Sequence, residues 1–466
     1  MLTRLEVDGF KNLIGFAVDF GPYTCIAGPN AAGKSNVFDT IEFLSLLADH
    51  PLMDAAIRLR SVGASGAEPR TLFFSDGGKS IAQMHLAAEM LLPLEVEDDF
   101  GRNAEPTSSF VRYELSLGYE PPRGDGPGQQ MGRISLLREE LRHITSGEAP
   151  GRMKWPHSKS AFRDRTVHNR RQGTAFISTT VEDGEGVVNV HQDGGSRGKP
   201  RRSPASRAPR TVVSTTTSSD DPTILVARRE MQQWRTLALE PSAMRSPDQA
   251  TGPATISTDG AHMPSALFRL ASTVGQDVYS EVASSSSALT DVRQIGVDYD
   301  SQRDTLTLLA RIGDSPALPA RALSDGTLRF LALCIIGADP DYRGVLCMEE
   351  PENGIHPGRI RAKVDLVRGL AVDPWESPSP ENPLRQVLVN THSPFFVQYQ
   401  EPEDLHLAFP TLVQRDGRLA RTLRLLPLHG TWREAAGLQA VSRATIMDYL
   451  REPPNAPLTL DFEYAR

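Results

Sequence analysis

Residues 28–36 read GPNAAGKSN and fit the pattern G-x-x-x-x-G-K-[ST]. The pattern constrains the fold because it has a physical meaning only between a strand and a helix. Before it, Tyr23-Thr24-Cys25-Ile26-Ala27 is a short apolar, β-prone run that predicts a buried parallel strand. After it, Phe38, Ile41, Leu44 and Leu47 recur at helical spacing. Strand, glycine loop and helix in that order aim consecutive backbone N–H groups and a helix N-terminus at one point, an arrangement suited to a phosphate. There Lys34 is expected to reach the β- and γ-phosphates of ATP and the Ser35 hydroxyl to ligate Mg²⁺. The candidate cradle is Gly28, Pro29, Asn30, Ala31, Ala32, Gly33, Lys34, Ser35 and Asn36. The plainer alternative, a glycine-rich turn with an exposed lysine, leaves the flanking strand and helix unexplained.

Three later stretches set polar residues against one end of an apolar run. In ALSDGTLRFLALCIIGA, Ser324 suits a helix N-cap and the apolar run after it suits a buried helix. Alone it reads as an ordinary capped helix. In VLCMEEPENGIHP, a predicted buried strand ends in the adjacent carboxylates Glu349 and Glu350. A carboxylate there, beside a phosphate loop, can complete Mg²⁺ coordination, and the next can polarise water. In QVLVNTHSPFFV, another predicted strand delivers a Thr-His-Ser tip, where His392 can sense a γ-phosphate.

In this order, phosphate loop, LSDGT, EEPE and THSP, the chain resembles the ABC-type ATPases. It looks most similar to the SMC/RecF/OLD-like branch usually described as AAA-family ATPases. The resemblance covers 1–95 and 223–400 and implies an α/β fold: a P-loop NTPase with an ABC-type head, its mixed sheet flanked by helices and interrupted by a β/loop insertion. It implies that Glu350 is the catalytic base and that Glu349 stands for the Walker B aspartate on Mg²⁺. His392 becomes the switch histidine. Ser324 and Gly326 would contact the ATP of a partner in a head-to-tail dimer or higher oligomer, and 353–356 would be the D-loop. FKNL, from Phe10, fits the N-terminal turn of that branch. Ala31 stands where a glycine is common, and Glu349 is one methylene longer than aspartate.

Spacing narrows the branch. Transporter subunits hold the phosphate loop and LSxG motif much closer together. The region between them has no sustained heptads, so a long coiled coil is excluded. The tail after His392 is too short for a C-terminal Toprim nuclease domain. The resemblance therefore implies an ATPase serving a separately encoded nuclease or toxin, commonly in anti-phage defence. The alternatives are a RecF-like DNA-repair ATPase and an ATP-binding scaffold with little turnover.

The expected domains are a lobe over 1–95 carrying the loop, a polar β/loop insertion over 96–222, a second lobe over 223–400, and strands and a helix over 401–466 that complete the core. Helix is expected over about 35–59, and strands at 82–88, 111–119, 133–137, 174–179 and 186–190. Further helices are expected at 224–239 and 264–272, a hairpin from 292–297 with 305–311, strand-like sequence at 405–426 and helix from about Trp432. The segment 194–222 is low in complexity and is expected to be a mobile arm without a core. Its Gly194-Gly195-Ser196-Arg197-Gly198 matches G-x-S-x-G but lacks the strand and helix that motif needs.

A formal net charge of -8 argues against a basic coat for nucleic acid. Two basic stretches allow local DNA or RNA contact: 152–171, with Trp155 and Phe162, and 197–210, with six basic residues and no acid. The competing readings are a solvated arm or a partner-binding surface. Cys25, Cys334 and Cys347 lie in apolar runs and read as small buried hydrophobes. No zinc pattern is present. The opening MLTRLEVDGFKN has no apolar core for a signal peptide, and the best apolar run, 328–338, is too short to span a membrane, so a cytoplasmic protein is expected.

Overall fold

The computed structural model describes residues 1–466 except 31, 60–67, 77–78, 81–82, 123–131, 172, 174, 194–197, 288–289, 416–417, 435–438 and 452–466. The chain folds as α/β, and two large sheets carry most of it.

The sheet that holds the phosphate loop has six strands, in the order Arg235–Leu237, Gly344–Glu349, Arg385–Thr391, Tyr23–Ala27, Leu405–Arg415 and Arg418–Pro427. The first five run parallel and the last is antiparallel. Its central strands are apolar along their length because both faces are covered. Ile26, Val345, Cys347 and Leu388 enter one core, while Cys25, Ala27, Leu346, Met348, Val387 and Val389 enter another. All three cysteines are buried and free.

The second sheet has eight strands, each antiparallel to its neighbours, in the order Arg201–Pro204, Glu185–Val190, Ile177–Glu182, Arg133–His143, Phe110–Glu120, Gln83–Leu91, Leu2–Asp8 and Phe16–Asp19. Its strands alternate. Leu5, Val7, Leu86, Ala88, Val111, Tyr113 and Leu115 face the first core, and Arg4, Glu6, Glu89, Arg112 and Glu114 form an ion-paired opposite face. The boundary expected at 95/96 therefore falls inside one sheet. Phe110–Glu120 continues directly from Gln83–Leu91, so the insertion extends the first lobe and shares its core.

The helix expected over 35–59 is two helices, Lys34–Leu47 and Leu52–Arg58. Pro51, which has no N–H to donate, separates them as the N-cap of the second. The expected mobile arm is corrected over 198–222. Arg201–Pro204 pairs with Glu185–Val190, and Ala205, Thr211, Val213 and Ser214 are buried. Glu139 accepts hydrogen bonds from the N–H groups of Val212 (2.7 Å) and Val213 (3.0 Å) and anchors the turn. Residues 194–197, with most of the G-x-S-x-G match, lie outside the described residues.

Further along, Met263–Thr273 is a helix and Val292–Asp300 pairs with Thr305–Ile312 as expected. The helix expected to run to 239 stops at Gln232, and Arg235–Leu237 is instead the edge strand of the parallel sheet, where it pairs with Gly344–Glu349. At the C-terminal end, the strand-like stretch becomes a hairpin that widens the parallel sheet. The last described helix is Arg443–Arg451 and does not begin at Trp432. Trp432 lies instead against Trp155, with ring centroids 6.4 Å apart.

Candidate functional site

The register of the parallel sheet sets Ala27 beside Thr391 and Glu349 beside Asn390. Three strand ends thus meet at one edge, the carboxyl edge where open α/β sheets bind ligands. The N–H of Gly28 donates to Thr391 O (3.1 Å) and that of Glu350 to Asn390 O (2.9 Å). The phosphate loop, the carboxylate pair and the histidine tip, far apart in sequence, are tied together by backbone.

In the loop, two positions demand glycine. A Cβ on Gly28 would lie 2.8 Å from the Cβ of Ala408, and Gly33, at φ 98°, would drive one into the Asn12 amide at 2.3 Å. Asn12 in turn accepts from Asn36 Nδ2 at 2.7 Å. Gly33 caps the helix Lys34–Leu47 without a side-chain acceptor, and the first turn contains no acidic residue. The first N–H groups of that helix and its positive end are left for an external anion. Lys34 is buried, and its Nζ donates to Gly28 O (2.6 Å) and Pro29 O (2.8 Å). Burial lowers its pKa, against the opposing pull of Glu350, Glu349 and Glu352. A buried lysine, a hydroxyl and an uncapped helix end facing carboxylates fit a nucleotide phosphate with a hard cation. Ala31 lies outside the described residues.

At the carboxylate end, Glu350 occupies the left-handed region, φ 47°, which is uncommon for a residue with a side chain. Its Oε1 lies 2.5 Å from His392 Nδ1, and its Oε2 accepts from Asn353 Nδ2 at 2.8 Å. Both oxygens are held, yet the carboxylate and the imidazole remain partly exposed. Glu349 is exposed, with Asn390 Nδ2 at 3.4 Å from its Oε1. Glu352 is buried and accepts from Thr391 Oγ1, which itself accepts from Ser393 N at 2.9 Å. Burial raises the Glu352 pKa.

Residues 23–398, more than half of the chain, match the family described as "AAA domain, putative AbiEii toxin, Type IV TA system". The protein is a member of this AAA-domain family of ATPases. No curated protein matches it. Among solved structures it is similar to an SmcHead bound to the C-winged helix domain of ScpA, at 12% identity, 92% of this chain, 98% of that chain and a TM-score of 0.49. It is also similar to the Smc head domain with an extended coiled coil bound to the C-terminal domain of ScpA from Pyrococcus furiosus, at 10% identity, 91% and 96% coverage and a TM-score of 0.42.

In this AAA-domain protein, the LSDGT segment stands apart from the phosphate loop. Ser324 is the exposed N-cap of the helix Asp325–Ala338, and its Oγ accepts from Thr327 N at 3.3 Å. Among the described residues no hydrogen bond joins Ser324 or Gly326 to the loop. The nearest atom to a Cβ on Gly326 would be Gly354 O at 3.8 Å, in the 353–356 turn.

Sequence reasoning gave no role to Asn12, Asn390 and Glu352, and it read Asn353 only as part of the 353–356 turn and Thr391 only as part of the strand tip. Asn12 stands in the quoted FKNL and the others in the quoted strand ends. What was missing was the register that brings them together.

In the fold the two basic stretches keep exposed charge, but the first loses its aromatic stacking faces. Trp155 and Phe162 are buried in a small core with Met1, Leu91 and Phe110, so they offer no stacking face. Arg152 pairs with Glu89, Lys154 with Asp19, Arg171 with Asp193, Arg201 with Asp221 and Arg202 with Glu182. Among the described residues no helix is long and apolar enough to cross a membrane.

Proposed function

We propose that this AAA-domain protein is an ABC-type, cytoplasmic ATPase that hydrolyses ATP in a nucleotide-gated, head-to-tail dimer and drives a separately encoded effector. The observation that carries the reading is the Glu350–His392 contact at 2.5 Å, on strand ends bonded to the phosphate loop. Gly28 to Asn36 cradle the phosphates, with Lys34 leaving its loop carbonyls for the β- and γ-phosphates. Ser35 and Glu349 would hold Mg²⁺, which would neutralise phosphate charge. Glu350 orients the attacking water and takes its proton. His392 and Asn353 fix the rotamer of Glu350, and the imidazole responds to the γ-phosphate.

Ser324, exposed, and Gly326, half-buried, stand at a helix start and serve the partner's nucleotide. A nuclease or toxin as effector and a role in anti-phage defence follow from the resemblance to the SMC/RecF/OLD-like branch; the family description itself names only a putative toxin of a Type IV toxin–antitoxin system. The test is Glu350→Gln, measured for ATP binding and turnover. Binding is expected to persist while turnover falls by at least ~100-fold, the usual cost of losing a general base. Unchanged hydrolysis would sink the assignment.

A further inference from the structure

Next to the hydrolysis site lies a cavity of about 190 Å³ between the strand ends of Arg235–Leu237 and Gly344–Glu349 and the helices Asp325–Ala338 and Ile360–Gly369. In the sheet it is on the side of Gly344–Glu349 away from the phosphate-loop strand. Glu349 and Glu350 form part of its wall, so it opens beside the proposed catalytic carboxylates. Lys363 lines it and is only 2% exposed. The Lys363 ammonium lies 4.6 Å from the centre of the Phe330 ring and has no hydrogen bond or ion pair among the described residues. Arg329 also lines the cavity. It donates through Nε to Leu239 O (3.3 Å) and through Nη1 to Asn353 O (3.1 Å) and has further N–H groups to offer.

A buried ammonium without a counter-charge is costly, and the cost falls when an anion joins it. Burial pushes the Lys363 pKa down to about 7. Cys334 and Glu352 oppose that shift and Arg329 adds to it. The acids on the cavity wall do not supply the missing partner. Both oxygens of Glu350 are engaged with His392 and Asn353, and Glu349 and Glu240 are exposed to solvent. The space is smaller than the ~300–1,000 Å³ of pockets that take drug-sized ligands. It has room for roughly six waters, or for a small ion with part of its hydration.

We propose that this cavity is an oxyanion site, with Lys363 and Arg329 as its donors, that receives inorganic phosphate after it is cleaved beside Glu350. The phosphate source rests on the ATPase reading, but the anion site itself does not. Phosphate held there leaves the hydrolysis site by the side opposite the phosphate loop. Lys363 then sets the rate of its release without taking part in its cleavage.

The experiment uses the full chain and inorganic phosphate as the probe. Phosphate binding is measured by calorimetry without nucleotide for the wild type, Lys363→Met and Arg329→Gln, each first checked for an unchanged circular dichroism spectrum. Sulfate competition reports the oxyanion chemistry. Each substitution is expected to weaken phosphate binding roughly tenfold to a hundredfold, the loss of one charge-assisted hydrogen bond. In single-turnover assays, Lys363→Met is expected to leave cleavage unchanged and to remove the lag between cleavage and phosphate release. A wild type that binds no phosphate, or substituted proteins that bind it as tightly, overturns the site. Cleavage and release that stay separated in Lys363→Met overturn the exit role. A protein that binds phosphate through Lys363 but turns over no ATP keeps the anion site and removes the ATPase reading instead.

Discussion

The two large sheets treat carboxylates in opposite ways. In the antiparallel sheet, Arg112 reaches Glu6 (2.6 Å), Glu89 (3.1 Å) and Glu114 (2.6 Å) at once, and Arg4, Arg142 and Arg152 extend the network. At the carboxyl edge of the parallel sheet, Glu349, Glu350 and Glu352 have no lysine or arginine ion partner among the described residues. The one ionic contact there is Glu350 with His392. Charge in the first region is spent on holding strands together. In the second it is left open where the backbone is strained at Glu350, the pattern expected of a site that gives up stability for chemistry.

This contrast can be tested from both sides. The largest effect belongs to the open side. Lys34→Ala and Ser324→Arg should each reduce ATP turnover by about 100-fold or more, the scale of losing a transition-state contact. Mixing the two chains should restore activity, because a mixed dimer keeps one site built from Lys34 of one chain and Ser324 of the other. If mixed dimers form and stay inactive, head-to-tail sharing of the site is wrong.

On the paired side, Arg112→Met should leave nucleotide binding intact and lower stability by about 2–3 kcal/mol in a urea titration, since it removes at once a shared partner of three carboxylates and leaves each with only more exposed arginines. A change below ~0.5 kcal/mol would mean that the network is only decoration. A smaller effect is expected from Val213→Ala, about 1–2 kcal/mol for a cavity in a filled core. No effect there would return 198–222 to the status of a dispensable arm.

The smallest effect concerns acid. Burial works to raise the Glu6 pKa, but hydrogen bonds from Arg112 and Arg4 outweigh it and bring it down from 4.5 to about 2. A lowered folded-state pKa means stability that is present above pH 4.5 and lost as the pH falls toward about 2. The slope of stability against pH in that window should be shallower in Arg112→Met than in the wild type. Equal slopes would separate Glu6 from Arg112.

Legibility in the sequence followed the same division. The strands of the parallel sheet and the polar ends they carry could be read directly, because a strand buried on both faces is a continuous apolar run and its functional end is a break in that run. The positions of Glu349, Glu350 and His392 at or just past strand ends could be read this way, as could the strand–loop–helix around Gly28 and the cap at Ser324. The strands 96–222 were read in part, but their membership of the first sheet was not. The segment 198–222 was misread because Ala205, Thr211 and Val213 look unremarkable among serines, prolines and arginines. They become core residues through partners remote in sequence: Arg201–Pro204 pairs with the strand Glu185–Val190, Thr211 Oγ1 donates to Leu47 O, and Glu139 holds the N–H groups of Val212 and Val213. In the basic stretch 152–171 the sequence does not show which residues are paired. The acids that meet Lys154, Arg152 and Arg171, namely Asp19, Glu89 and Asp193, lie elsewhere in the chain.

By itself the sequence determined which residues end buried strands and which glycines the phosphate loop must contain. Both follow from local chemistry: side-chain polarity along a strand, and the room a Cβ needs. Only the tertiary structure decided which charges meet a partner and which do not. Ion pairing depends on distances between strands remote in sequence, and register sets those distances. Lys363 shows the limit best. In the sequence it is one more lysine on an amphipathic helix; in the fold it is a buried cation facing a cavity beside Glu350.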